Sequence, residues 1–556
     1  MRTSLCLLLA LLLPSAATAA TTVVDTYKEL AWLERQKTVD GTIVVKVPGL
    51  TSLALPKLQS VSERIEIAIP DLIFVDLPAL REVGTDLNIG CALTPKNEWE
   101  DKGPLQPLGP MQSTGPSFAD GPPTNTKSKS REAAAKGPGR LVLPQLRTVG
   151  GGLAICSPGV LGVEAPKLAS IGTDLQFFAG RSWAAIDLPS LKTVNSTVFV
   201  WLDGAQLSVT AERLSSVGAS MQSGGRGRLS LSLPALRTAA GFAITGTRQM
   251  MSGVQAARPS LELTGLEISS LERASSRLEF SSVGGLAELV LGELTRCDSV
   301  RIVDLPELTS LGLPVLPEVA RSAVLGDLPA LSSLDLSSLR RVGERLQLGG
   351  LGLSTLELHL EEAGSLVLAG QPSRVIRADK LVRLEAMMLE GLGLAELVSF
   401  ASLESVAGPM QLKDSVGLVV GGDLPVVGAD DATLRVFTAP KLTRVGDSPE
   451  HGLFMRRLPF TVVKLSALRE VRGALSLTEM PGLTHLELPR LQRVDGPFTV
   501  GGSSRLVALQ FPALEQAAVL ELISLTALKR VVARGLDAQV RQSTGTIVAS
   551  LEVGNR

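Results

Sequence analysis

The chain has 556 residues, more than one compact core usually contains, so it forms either several domains or one elongated array. Hydrophobic residues make up 45% of the chain but aromatic residues only 3%, which predicts a core of Leu, Val, Ile and Ala. With 54 Lys and Arg against 55 Asp and Glu, the chain has no basic excess to hold a phosphate backbone, and we expect no nucleic-acid partner.

Residues 1–19 have the pattern of an export signal. Arg2 supplies a positive charge, residues 5–13 are an apolar run, and the Ala-Thr-Ala of residues 17–19 is the small-residue pattern that a signal peptidase requires. The alternative is a membrane anchor, but the apolar run is too short to span a bilayer. We therefore expect a mature chain without a transmembrane segment. It would be secreted or held at the cell surface, which in a bacterium means the periplasm or the outer surface.

Residues 20–91 are expected to form an N-terminal cap and the first turns of the fold. Asp25 is a suitable helix N-cap residue. The apolar side chains of Leu30, Trp32 and Leu33 lie on one side of the segment that follows, which predicts a short capping helix that ends at Leu33.

A unit of Leu-Pro-x-Leu-x-x-Val-Gly recurs along the chain, as in residues 77–84. The prolines measure its period, because Pro56 and Pro78 are 22 residues apart and Pro306 and Pro329 are 23 apart. A proline is tolerated as the first residue of a strand, and the glycine after the valine suits a tight bend between strands.

Each unit carries short patches of alternating apolar residues, which indicate strands rather than helices. One such turn cannot bury its own apolar side, whereas turns stacked at about 4.8 Å form continuous columns of Leu and Val. The pattern predicts a mainly β, leucine-rich solenoid with a 22–23-residue repeat over residues 140–535. Residues 536–556 are expected to form a C-terminal cap or tail.

Two kinds of solenoid have a repeat of this length. The ordinary leucine-rich repeat is a horseshoe in which a buried asparagine recurs in each turn. No such column runs through this chain, whose five asparagines are Asn88, Asn97, Asn125, Asn195 and Asn555. The pattern therefore favours a β-helix over a helix-backed horseshoe.

The repeat x-L-P-x-L-x-x-V-G-x-x-L-x-I, as in residues 142–155, resembles that of receptor L-domains. These are the leucine-rich, right-handed β-helices of insulin- and EGF-receptor ectodomains, and similar repeats occur in fungal wall proteins and bacterial surface proteins. The helix followed by Gly41-Thr-Ile-Val is similar to an L-domain opening, although the cysteine pair usual near that helix is missing. The resemblance implies a right-handed β-helix with a short N-terminal capping helix, and it does not transfer the role of any one member.

Residues 92–139 depart from the repeat and are rich in Pro, Gly, Ser, Thr and Lys. The 66 residues from Pro78 to Pro144 exceed one 22-residue repeat by 44, which predicts a mostly disordered insertion that leaves one turn of the solenoid. The insertion is either a tolerated surface loop or an arm for partner binding or processing.

Cys91 and Cys156 flank this insertion, and each follows the Leu-x-Ile strand of its unit. If those units are neighbouring turns, the two α-carbons fall within disulfide range, so we predict a bridge at the base of the insertion. Cys297 is expected to be a small buried hydrophobic residue. Residues 248–300 are the least regular stretch, and residues 248–258 would be a loop or a junction between two solenoid segments.

The sequence offers no catalytic, cofactor-binding or metal-binding residues. Its three histidines are at no metal-ligand spacing, and no C-x-x-C or nucleotide-binding motif is present; the histidines are His359, His451 and His485. The acid pairs Glu361-Glu362 and Asp430-Asp431 are typical of solvated faces, and residues 224–227 read as a glycine-rich turn. Asn195-Ser-Thr is a glycosylation sequon, which matters only in a eukaryotic host.

Three functions fit such a chain. The first is a non-enzymatic scaffold, secreted or at the cell surface, that recognises an extracellular protein or glycan ligand along its regular surface. The second is a structural protein of a cell wall or envelope, in which the rod itself is the function. The third is a polysaccharide-active β-helix enzyme, which needs a pair of carboxylates beside a cleft. We favour the first and expect no enzymatic activity and no cofactor.

Overall fold

A computed structural model describes residues 20–69, 72–91, 139–156, 159–180, 184–246, 250–251, 254–255, 259–392, 394–413, 435–542 and 550–553. The expected export signal, nearly all of the expected insertion and the last three residues lie outside this part of the chain. The described residues form a mainly β, parallel solenoid of about 19 turns with a spacing of about 23 residues, which confirms the predicted fold class. The chain divides into two compact units, Met1–Val217 with Ser230–Leu233, and Gly218–Leu229 with Pro234–Arg556.

Each turn contributes a strand to three parallel ladders, which we call the first, second and third ladders in chain order. In the first unit the first ladder comprises Ser52–Ala54, Phe74–Asp76, Arg140–Val142, Gly162–Glu164 and Ala184–Asp187. The second ladder comprises Thr38–Val39, Ser60–Val61, Glu82–Val83, Thr148–Val149, Ser170–Ile171 and Thr193–Val194. The third ladder comprises Thr21–Val24, Thr42–Val45, Ile65–Ile67, Leu87–Ile89, Leu153–Ile155 and Leu175–Ala179. Val198–Thr210 runs from the third ladder into the first, and Ser216–Ser232 begins in the second.

The second unit repeats this arrangement. Its first-ladder strands are Glu288–Val290, Ser310–Gly312, Ser333–Asp335, Thr355–Glu357, Val375–Arg377, Leu397–Ser399, Val436–Thr438, Val462–Lys464, His485–Glu487, Ala508–Gln510, Arg530–Ala533 and Ser550–Val553. Separate second-ladder strands are Glu318–Val319, Ser405–Val406, Arg444–Val445 and Glu470–Val471, and separate third-ladder strands are Ser322–Leu328, Met410–Lys413, Leu453–Arg456 and Leu475–Thr478. In other turns one strand serves both ladders: Thr238–Gly246, Arg273–Ser281, Arg296–Val303, Arg341–Leu351, Glu362–Ala369, Arg383–Glu390, Arg493–Gly501, Gln516–Ile523 and Asp537–Gln542.

The stretch expected to be irregular, residues 248–300, contains regular turns from residue 259 onwards. Arg273–Ser281 pairs in parallel with Thr238–Gly246 and with Arg296–Val303. The departure is an antiparallel pair, Met250–Met251 with Val254–Gln255, and a second short pairing of Leu261–Glu267 with Val283–Gly284. The division between the two units falls earlier in the chain, between Val217 and Pro234, and not at residues 248–258.

The Leu-Pro-x-Leu motif forms a corner between ladders. The N–H of Leu80 donates to the carbonyl of Leu77 at 3.2 Å, which closes a β-turn with Pro78 in its second position, where proline is favoured. The expectation that this proline begins a strand is therefore wrong, because it follows the strand Phe74–Asp76. Both leucines are fully buried, so the motif combines a rigid turn with two core side chains.

A second leucine corner precedes the first ladder, and the sequence period did not separate the two. Leu308 donates to the carbonyl of Leu305 at 3.3 Å around Pro306, and the strand that follows, Ser310–Gly312, belongs to the first ladder. The 23-residue interval from Pro306 to Pro329 therefore measures a different corner from the interval between Pro56 and Pro78. The period is the same because both corners recur once per turn.

The core consists of columns of identical inward positions. Val61, Val83 and Val149 are register partners in successive turns of the second ladder, and each is 1% exposed. Rings contribute more than the composition suggested, since seven phenylalanines of the second unit are fully buried: Phe242, Phe280, Phe400, Phe437, Phe460, Phe498 and Phe511.

The glycine after the valine lies at a bend between two strands, as expected, and the structure adds a second reason for it. A Cβ on Gly84 would lie 1.8 Å from the carbonyl oxygen of Ser62, and one on Gly150 would lie 1.9 Å from that of Gly84. Glycine is required there because consecutive turns approach closely, backbone to backbone.

The capping helix is Tyr27–Leu33, and it is the one helix among the described residues. Its N-cap is Thr26, one residue later than predicted, and Thr26 forms a capping box with Glu29. Leu30 and Leu33 are buried against the solenoid, but Trp32 is 48% exposed, so the expectation that it shares their apolar side is wrong.

Candidate functional site

The predicted cysteine pair meets at the base of the expected insertion. Leu87–Ile89 and Leu153–Ile155 are register partners in the third ladder, so the turns on either side of the insertion are neighbours. The structure joins Cys91 and Cys156 in a disulfide with a Cα–Cα distance of 4.8 Å. Cys297 is buried among aliphatic residues, and this burial raises the pKa of its thiol to about 12.

The other residues singled out in the sequence do not converge. Asn195 is exposed at a bend after the second ladder. His451 pairs with Asp447 at 2.6 Å, and this hydrogen bond lowers the pKa of the Asp447 carboxyl. His485 is exposed and contacts Thr484, whereas Arg340 donates to the backbone carbonyl of His359.

The acid pair Glu361-Glu362 is exposed and neutralised by arginine. Arg340 lies 3.7 Å from Glu361, and Arg383 lies 3.0 Å from Glu362. Asp430-Asp431 lies outside the described residues. Residues 224–227 lie within the strand Ser216–Ser232, so the prediction of a turn is wrong there. No group of three or more His, Cys, Asp or Glu that could hold a metal ion occurs among the described residues.

The outward positions of the ladders vary from turn to turn while the inward positions stay constant. In the second ladder, Ser60, Glu82 and Thr148 point away from the valine column, and they are register partners. In the second unit the same positions alternate in charge, since Glu318, Arg341, Glu362 and Arg383 are successive partners. Two of these steps are ion pairs, Glu318–Arg341 at 3.2 Å and Glu362–Arg383 at 3.0 Å.

The corner after the third ladder of the second unit carries two open cavities. One has a volume of about 690 Å³ and is lined by Arg301, Asp304, Asp327, Gly350 and Gly370 among others. The other, of about 520 Å³, lies in later turns and is lined by residues that include Arg456, Glu479 and Ser524. Corner residues of both cavities have left-handed backbone, for example with φ of 59° at Asp304 and 56° at Glu479.

The third ladder of the first unit carries a patch of outward aromatic rings. Phe178 and Trp201 are register partners in neighbouring turns, and each is 38% exposed. Phe199 lies between them, with ring centroids 5.5 Å from Phe178 and 6.2 Å from Trp201. Sequence reasoning missed this patch, although Phe199 and Trp201 are spaced two apart in a strand and therefore share a face.

The described residues contain no helix that is long and apolar enough to cross a membrane. No protein-family model matches the chain, and no curated protein matches it. Among solved structures, the chain is similar to a leucine-rich repeat protein from Bacteroides ovatus at 12% identity, over 71% of this chain and 75% of that chain, with a TM-score of 0.19. Since this TM-score is too low to show a shared fold, the assignment of a leucine-rich solenoid rests on the strand pairing and the leucine columns.

Proposed function

We propose that this chain is a non-enzymatic recognition scaffold, secreted or held at the cell surface, that binds an extracellular protein or glycan. The observation that carries the proposal is the contrast between constant inward columns and variable outward ones. A purely mechanical rod needs only its core to repeat, whereas a binding surface needs outward side chains that differ from turn to turn. The second-ladder column of Ser60, Glu82 and Thr148 has this property over an unchanging valine column.

A location outside the cell is supported by the disulfide and by the N-terminal sequence. Disulfides persist in oxidising compartments and are rare in the cytosol. Cys91 and Cys156 are joined across 65 residues, and the pattern of residues 1–19 is typical of export. The resemblance of the repeat to receptor L-domains points the same way, since those domains act on the outside of cells.

A structural wall protein is the second candidate, and the charge ladder of the second unit favours it. Alternating Glu and Arg in register tie successive turns together, as between Glu362 and Arg383. Exposed ion pairs are worth little singly, about 0–1 kcal/mol, but a column of them would stiffen a rod that bears load.

Binding measurements separate the two candidates. The purified chain, with its disulfide intact, would be tested by biolayer interferometry against a panel of extracellular proteins and polysaccharides. A scaffold gives saturable binding that outward substitutions on one ladder weaken and that outward substitutions on another ladder leave unchanged. If no member of the panel shows saturable binding, the recognition role is contradicted and the structural role is the remaining candidate.

A further inference from the structure

The outward side chains on the third ladder of the first unit form one line across four neighbouring turns. Asn88, Ala154, Gln176 and Phe199 are successive register partners, and Phe178 and Trp201 are partners in a second line beside it. We call these six residues the amide–aromatic strip. Neighbouring strands are about 4.8 Å apart, so the four turns give a surface with a constant step along the solenoid axis.

The strip exposes rings in a chain that has few of them. The sequence contains 13 Phe, 4 Trp and 1 Tyr, and three of these rings meet on this surface. The rings of Phe199 and Trp201 are nearly parallel, with an interplanar angle of 7°. Because leaving large apolar side chains in water is unfavourable, a cluster of outward rings usually marks a binding surface.

The six residues of the strip are neutral, and the line continues beyond Asn88 to its register partner Glu66, which is only 7% exposed. No Asp, Glu, Lys or Arg occurs in the strand segments that carry the strip, which are residues 87–89, 153–155, 175–179 and 198–202. Two carboxylates precede these strands, and both accept hydrogen bonds from backbone N–H groups of the next turn, Asp86 from Gly152 at 2.8 Å and Asp174 from Thr197 at 2.9 Å. Asp86 is also paired with Arg64 at 3.3 Å.

We propose that the amide–aromatic strip binds a neutral, linear polysaccharide laid along the solenoid axis, an inference that rests on the proposed recognition function. A pyranose ring has an apolar C–H face that stacks on an aromatic ring, and a rim of hydroxyl groups that exchange hydrogen bonds with carboxamides. The strip supplies both, in register: rings from Phe178, Phe199 and Trp201, and amides from Asn88 and Gln176. A protein partner is favoured less, because protein interfaces typically combine rings with arginine, and these strands contain none.

The disulfide holds this surface together. Cys156 directly follows the strand that carries Ala154, and Cys91 lies two residues after the strand that carries Asn88, so the bond ties together the two turns on either side of the expected insertion. The regular step of the strip is thereby kept where the chain connection between turns is longest.

The test measures binding of the intact, oxidised chain to neutral polysaccharides (cellulose, xylan, chitin and β-1,3-glucan) and to the acidic polysaccharides alginate and pectate. We expect saturable binding to at least one neutral polymer, weakened at least about tenfold by Trp201→Ala and by Phe178→Ala. Trp201→Phe keeps a ring and should retain most of the binding. Phe74→Ala is the matched control, because Phe74 is 37% exposed on the first ladder of the same unit, and it should bind like the unsubstituted chain.

Each outcome decides the inference. Thermal unfolding midpoints of all variants show whether a loss of binding reflects a loss of folding. Binding that survives both alanine substitutions, binding only to the acidic polymers, or no polysaccharide binding at all would overturn the proposal. If the chain binds a protein of the extracellular panel instead, the recognition function stands and only the glycan assignment falls, so the two failures are distinguishable.

Discussion

Gln371 occupies a position in the core that leucine holds in the neighbouring turns. It follows Gly370, just as Leu351 follows Gly350 and Leu392 follows Gly391, and all three glycines have left-handed backbone. The side chain is 2% exposed, and neither Oε1 nor Nε2 has a hydrogen-bond partner within the described part of the chain. A buried amide without partners destabilises a fold by about 1–3 kcal/mol.

We therefore expect Gln371→Leu to stabilise the protein, by about 1–2 kcal/mol, because it restores the aliphatic column and removes an unsatisfied amide. The measurement is the free energy of unfolding in urea. Leu351→Gln is the converse substitution one turn earlier, and it should destabilise the protein by a comparable or larger amount. A loss of stability in Gln371→Leu would mean that the amide is satisfied by a bound water inside the solenoid.

Glu479 is held by two arginines at the third-ladder corner. Arg456 and Arg457 donate to its carboxylate at 2.7 Å and 2.5 Å, and these hydrogen bonds lower the pKa of Glu479 from its ordinary value of 4.5. A lowered pKa in the folded state means that the pair stabilises the fold above pH 4.5, and that this contribution is lost as the pH falls through the lower folded value.

Substituting Glu479→Gln should consequently reduce stability at pH 7, and the reduction should be smaller at pH 3, because the stabilisation by the ionised carboxylate is lost as the pH falls below 4.5 and through the lower folded pKa. Urea unfolding at both pH values measures the difference. A stability difference that is the same at pH 7 and at pH 3 would show that the ion pairs contribute nothing and that another property of the side chain is responsible.

At the scale of the element, the bend after the third ladder is the most demanding piece of backbone in the turn. One residue there has left-handed backbone in many turns of the second unit: Ser282, Asp304, Asp327, Gly350, Gly370, Gly391, Arg457, Glu479, Gly502 and Ser524. Asp327 and Gly350 are the second-last residues of their strands, and the others follow theirs. A side chain on left-handed backbone is unfavourable by about 1–2 kcal/mol, so glycine suits the bend but is not obligatory. Where no glycine is present, the rest of the turn holds the strained conformation.

Substitutions at two of these glycines would measure the cost of backbone strain separately from the cost of a steric clash. A Cβ on Gly370 would have no heavy atom within 4 Å, whereas one on Gly391 would lie 2.9 Å from the backbone nitrogen of Gly370. We expect Gly370→Ala to destabilise the protein by about 1 kcal/mol through strain alone, and Gly391→Ala to destabilise it by more. The free energies of unfolding of the two variants, measured in the same buffer, give the comparison. Equal losses of stability would contradict the claim that a steric clash adds to the strain at Gly391.

Much of the turn could be predicted from its sequence, and the reason is periodicity. The Leu-Pro-x-Leu motif revealed the repeat because the leucines must be buried in each turn and the proline, where present, has the fixed φ that the corner needs. The two kinds of corner could not be told apart from the sequence, because Pro78 and Pro306 lie in turns closed by the same type of hydrogen bond, one after the first ladder and one before it. The role of Gly84 could not be predicted, because it depends on Ser62 in the preceding turn and not on its own neighbours in the chain.

The candidate binding surface was less accessible to prediction. Its residues, such as Gln176 and Phe199, are outward, so no core pattern selects them, and their proximity follows from the register between turns. Alternation alone shows that Phe199 and Trp201 share a face. To predict that Phe178 lies on the same face, one must also know that Phe178 and Trp201, 23 residues apart, are partners in neighbouring turns.

At the scale of the whole molecule, a solenoid is stabilised by contacts between neighbouring turns, so a long insertion between two turns threatens one interface. Leu87–Ile89 and Leu153–Ile155 nevertheless pair in register, three residues with three. The cysteines that follow these strands close a loop with a sequence separation of 65 residues, which includes the insertion. A crosslink over a loop of that length reduces the entropy of the unfolded chain by the equivalent of about 4 kcal/mol.

We expect replacement of both Cys91 and Cys156 by serine to destabilise the first unit by up to about 4 kcal/mol and to do so locally. Amide hydrogen exchange measures this directly, as faster exchange in Leu87–Ile89 and Leu153–Ile155 with unchanged exchange in Leu453–Arg456 of the second unit. Cys297→Ala is the control for the loss of a cysteine, and it leaves the bridge in place. Equal exchange at Leu87–Ile89 in the bridged and unbridged chains would show that strand pairing alone holds the two turns across the insertion, and that the disulfide is not needed to keep the amide–aromatic strip in register.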